Sequence, residues 1–233
     1  KCIMQIKIWI TQTKLKLTPD NENKNQDQII SYLTLRLLIG LTGIVIPLLV
    51  VLGKWISERT WQLEFSISDY YDNGTAGNIL VGILFVLGFF LMTYKGPFPI
   101  DNITAKIGCI ASLGASLFPT TFCSDCWVHT LHFVFAFLLF SVFIFFSIYL
   151  FRKTHSKKTM TVQKKYRNRI YLVCGIIMIL CIVAIAISFF LLDDSITEKY
   201  KLVFWFESIA LVSFGISWIT KSESLFLKDK SPQ

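Results

Sequence analysis

Charge is scarce in this chain, and acidic charge is scarcer than basic. Asp, Glu, Lys and Arg make up 16% of its 233 residues, with 15 carboxylates against 23 basic side chains. An ordinary soluble domain carries about 25% charged residues. Histidine occurs three times, so a metal centre built on many imidazoles is excluded. No signal-peptide core is present at the start, because Ile3 to Ile10 is too short to span and alternates with Gln5 and Lys7. What fills the sequence is apolar: 54% hydrophobic residues, 21 of them Phe. One aqueous core cannot hide that many aromatics, so a soluble globular domain is excluded.

The apolar residues are gathered into stretches. A membrane-crossing helix needs about 20 mostly apolar residues. Six segments qualify, at 33–53, 76–94, 104–122, 127–151, 169–192 and 202–220. Backbone groups in lipid must satisfy one another, so each segment predicts a helix. The expected fold is all-α, a bundle of six transmembrane helices. Residues 1–32 read as a polar tail before it and 221–233 as a tail after it. The first residue is Lys rather than Met, which reads as a fragment or an overextended reading frame.

The net charge of +8 is unevenly placed. With six spans, all the Lys and Arg residues fall on the side of the two termini except Lys54, Arg59, Lys199 and Lys201. Basic loops stay inside, which predicts both termini in the cytoplasm of a multi-pass protein of a bacterial-type inner or plasma membrane. The opposite face carries Glu58, Glu64, Asp69, Asp72, Asp125, Asp193, Asp194 and Glu198. The basic run over 152–169 lies where anionic lipid headgroups sit, and it needs no nucleic acid. Membrane lipids are therefore the expected partners of a monomer or homo-oligomer. The sequons at Asn73 and Asn102 fall on opposite sides and read as chance matches.

Packing signals are fewer. Gly108, Ser112 and Ser116 form a small-residue stripe that suits close helix approach, predicting a central third span. Pro47 and Pro119 bend or end their helices. The Phe-rich run from Phe133 to Phe146 covers most of its helix and reads as lipid contact and packing.

Ionisable groups at membrane depth are costly and mark candidate sites. Glu207 is the one acidic residue inside a span. Asp125, His129, His132 and Ala136 share a helical face by their spacing. Ser66, Ser68 and Asp69 precede the second span at the same level. These seven polar residues form a candidate cluster at the outer leaflet. Three readings of it stand: binding or transport of a lipid or small solute through Glu207 and the acidic groups; a metal-dependent lipid hydrolase with His129, His132 and a carboxylate on zinc; and a structural or sensory role without chemistry. Cys123 and Cys126 predict a small disulfide on the outer side. The other cysteines lie inside or within spans, which excludes a thiol relay through a second outer pair.

The stretches Ser66-Ile67-Ser68-Asp69-Tyr70-Tyr71, Arg167-Asn168-Arg169-Ile170-Tyr171 and Phe206 to Trp218 resemble a group of uncharacterised bacterial six-span membrane proteins, over most of 60–221. That resemblance implies the fold and no activity. A fainter similarity is to the ceramidase and adiponectin-receptor class of membrane hydrolases, which hold zinc with helix-borne Ser, Asp and three His. It implies such parts for Ser66 or Ser68, Asp125, His129 and His132. The third histidine, His155, falls on the opposite side, and the class's seventh span and late His-x-x-x-His pair have no counterpart here.

Overall fold

The computed structural model describes residues 21–120, 127–153 and 161–223. They are mostly helical, and no strand occurs among them. The helices are α1 (Asn21–Glu58), α2 (Thr75–Thr93), α3 (Pro99–Leu117), α4 (Trp127–Phe145), α5 (Val162–Phe190), the short α6 (Asp194–Tyr200) and α7 (Leu202–Lys221). A single 3-10 turn, Ser68–Asp72, precedes α2, and a π turn, Phe146–Leu150, continues α4. Five of them are long and apolar enough to cross a membrane: α1 over Tyr32–Glu58, α2, α4 with its π turn, α5 and α7. The outward faces of the bundle are apolar, with Leu48, Phe89, Phe137 and Leu180 of these helices and Ile110 of α3 all exposed. A girdle of that extent suits lipid, not water.

The helices form a ring. Around it α1 touches α2, α2 touches α3, α3 touches α4, α5 touches α7, and α7 returns to α1. The α4–α5 seam is the sparsest of these contacts. The centre is filled from α4 and α7: Phe143 stacks on Phe214 with centroids 3.6 Å apart, and Trp218 packs on Phe146, Phe151 and Tyr94. The tightest helix approach is α1 on α7. A Cβ at Gly215 would lie 2.5 Å from the Gly40 carbonyl oxygen, and one at Gly40 would lie 2.8 Å from that of Gly215. Only hydrogens fit there.

Several sequence expectations change. The third span is a wall of the ring, not its centre. Its stripe is buried as expected, with Ser112 donating to the Leu84 carbonyl at 2.7 Å and Gly108 facing Val142. That helix occupies 99–117 rather than 104–122. Pro99 begins it, where a missing N–H is harmless, and Asp101 accepts from the Phe98 N–H at 3.1 Å. It stops two residues before Pro119, as the backbone preceding proline leaves the α region. The tail expected over 1–32 is helical from Asn21, and the basic run over 152–169 is helical from Val162, where Thr161 caps the Lys164 N–H at 3.2 Å. Hydropathy marks the depth of lipid, whereas a helix ends where its capping groups end it.

Candidate functional site

The loop between α1 and α2 folds back over one end of the ring. Its outer part is pinned by charge. Buried Lys54 bonds Glu64 and lies 3.8 Å from Glu58, while the Asn73 amide donates to both carboxylates. Its inner part is pinned by backbone and ring contacts. The Phe65 carbonyl accepts from Phe204 N–H at 3.0 Å, and Tyr70 is fully buried against Phe204. Gly74, at φ +43°, makes the turn into α2.

This fold-back delivers Ser66, Ile67, Ser68 and Asp69 to the ends of three helices. Glu207 on α7 accepts from the Ile67 N–H at 2.6 Å and the Ser66 hydroxyl at 3.0 Å, both on Oε2. Ser66 Oγ accepts from the Ser68 N–H at 2.9 Å, and Asp69 Oδ2 accepts from the Ser66 N–H at 3.1 Å. On the other side, His132 of α4 is buried between two partners. Its Nδ1 is 2.6 Å from the Phe118 carbonyl oxygen and its Nε2 is 2.9 Å from Ser68 Oγ. A carbonyl only accepts, so Nδ1 donates to it. The neutral ring then accepts the Ser68 hydroxyl at Nε2. Thr120, three residues past α3, adds a bond to the Ser68 carbonyl at 3.4 Å.

Asp69 lies outside the apolar helices, and burial pushes its carboxyl up to about 6. The Ser66 N–H opposes that rise, Glu64 and Glu198 reinforce it, and Lys201 weakens it.

Beside this knot a cavity of about 740 Å³ opens in the α4–α5 seam. Ser66, Asp69, Thr120, His129 and Glu207 line one end of it. The rest of its wall is apolar, made by Phe133, Phe137 and Phe140 from α4 and Ile182, Ile185 and Phe189 from α5. Phe133, Phe137 and Phe189 are also exposed on the outside of the bundle, so the cavity opens sideways. A smaller hollow of about 140 Å³ shares Phe137, Phe140 and Ile182 with it and reaches Ile144 and Ile179. The two make one groove running down the seam.

Of the residues expected in the cluster, Ser66, Ser68, Asp69, His132 and Glu207 are joined by hydrogen bonds, and His129 lines the cavity edge-on to Phe133. Asp125, Cys123 and Cys126 lie outside the described residues, as does His155. The cysteines expected within spans, Cys109, Cys174 and Cys181, are buried free thiols. Thr120, the Phe118 carbonyl and the α5 wall are additions that no pattern in the sequence marks, because helix adjacency has no periodicity. The donors described here do not fit a zinc centre. Both nitrogens of His132 are committed, and no three His, Cys, Asp or Glu side chains converge among the described residues.

Comparison with family models, curated proteins and solved structures finds no match for the chain.

Proposed function

We propose that this is a six-span membrane protein with both termini cytoplasmic, and that it binds a lipid-like amphiphile through the α4–α5 seam at the outer-leaflet end of the bundle. The observation that carries this reading is the groove itself. It is apolar along its length, hydrogen-bonding at one end and open to the side. A purely structural bundle closes such a seam, since interiors pack to crystal-like density. A hydrophilic solute needs polar walls. From His129 to Ile144 the groove follows fifteen residues of helix, roughly 22 Å at 1.5 Å per residue. One leaflet contributes about 15 Å of a hydrocarbon core roughly 30 Å thick. A chain entering sideways therefore stays in an apolar medium while its head reaches the polar end.

Supporting the sixth span, α3 is 19 residues long and is held between α2 and α4. Asp101 and Lys106 near one end make it the least apolar of the six. The orientation rests on the basic residues gathered at the opposite pole from Ser66 and Glu207.

The test is lipid retention. The full chain, purified in mild detergent, is extracted and its bound lipid counted beside an Ala136→Trp variant, whose indole fills the groove. Loss of bound lipid in the variant supports the reading, and equal lipid in both overturns it.

A further inference from the structure

The polar end of the groove carries charge of one sign. Glu207 and Asp69 both line it, and among the described residues no Lys or Arg does. The cation acting on Asp69 is Lys201, whose ammonium is hydrogen-bonded to Glu198 at 2.7 Å. Glu64 is likewise taken up by Lys54. Among the described residues, the hydrogen bonds that Glu207 and Asp69 accept are each confined to one oxygen. Oε2 of Glu207 receives Ile67 and Ser66, and Oδ2 of Asp69 receives Ser66. Each carboxylate thus keeps an oxygen for a ligand. Among the described residues, His129 is the other titratable group lining this end.

Carboxylates next to an apolar wall are poorly solvated, and a cation is what relieves them. We propose that the amphiphile held by the groove is cationic: a long-chain amine whose ammonium bonds Glu207 and Asp69 while its alkyl chain lies along the α4–α5 seam. This rests on the reading that the groove binds an amphiphile, and it adds the chemistry of the head. An ammonium has three donors and no acceptor, which matches a site offering free carboxylate oxygens. A fatty acid brings like charge to the same place. A long-chain alcohol gains the apolar wall and one neutral hydrogen bond, but no ion pair.

The probes are dodecylamine, dodecanol and dodecanoate, equal in chain and different in head. Binding of each is measured to the full chain in nanodiscs near pH 7.5. The amine is expected to bind about tenfold tighter than either of the others, a difference of about 1.4 kcal/mol. Glu207→Gln with Asp69→Asn is expected to bring the amine down to the level of the alcohol. Both replacements keep an acceptor for Ile67, Ser66 and the Ser66 N–H, so the loop stays in place, and a melting temperature no lower than the wild type's checks this. Ala136→Trp is expected to weaken all three probes. If the amine binds no tighter than the alcohol, or the double variant keeps the preference, the cationic head is wrong and the groove stands. If no probe binds, or Ala136→Trp changes none of them, the groove reading itself fails.

Discussion

Ser68 and His132 lie 64 residues apart in the chain and share a hydrogen bond of 2.9 Å, Ser68 Oγ to His132 Nε2. That contact ties the α1–α2 loop to α4, and the Phe118 carbonyl holds the other side of the same ring. Each partner of a buried hydrogen bond left unpaired costs about 1–3 kcal/mol. Ser68→Ala is expected to lower stability by that order, and His132→Ala by more, because it also empties volume. Thermal unfolding in detergent measures both. Equal stability of all three proteins would show that the contact does not organise this end of the bundle.

Glu207 closes the loop from the opposite side. Glu207→Gln retains an oxygen for the Ile67 N–H and the Ser66 hydroxyl, whereas Glu207→Ala leaves both without it. The expected order of stability is wild type close to Gln, with Ala lower by about 1–3 kcal/mol. An Ala variant as stable as the Gln variant would remove Glu207 from the anchoring of the loop.

Asp69 makes stability depend on pH. Its carboxyl titrates at about 6 in the fold against an ordinary value of 3.8, so the folded protein binds its proton more tightly than the unfolded chain. The resulting stabilisation is complete below about pH 4 and is lost as pH rises through about 6. Comparing wild type with Asp69→Asn from pH 4 to 7.5 should show the wild type losing ground over that window. A constant difference contradicts the burial of this carboxyl.

The crossing of α1 and α7 at Gly40 and Gly215 leaves no room for a side chain. Gly215→Val is expected to force the helices apart and to cost about 1–3 kcal/mol, the usual range for overpacking. A variant in the lipid-facing surface, Leu48→Ala, provides the reference. If Gly215→Val is no less stable than that reference, the close approach is not a constraint.

The proposed orientation is checked by labelling. In a chain with Cys123 and Cys126 replaced by Ala, a membrane-impermeant maleimide should reach Gln62→Cys in intact cells and Lys165→Cys only after permeabilisation. The reverse pattern would invert the protein in the membrane.

Much of this architecture is written locally. Each apolar stretch carries its own transfer free energy, and the cores of the helices fall where those stretches lie. The spacing of His129 and His132 places them at one level of α4, and the isolation of Glu207 within α7 singles it out in the same way. Helix ends were less legible. Pro99 with Asp101 begins α3, and Thr161 begins α5, through hydrogen bonds that hydropathy does not register. The neighbours of each helix were not legible at all. The ring order, the looseness of the α4–α5 seam and the meeting of Ser66 with Glu207 depend on which surfaces fit, such as Gly40 on Gly215 and Phe143 on Phe214. The sequence by itself determined the helices and the level of their polar groups, because transfer from water is a property of each segment alone. The tertiary structure alone decided that those groups share one end of an apolar groove, because packing is a property of pairs of surfaces.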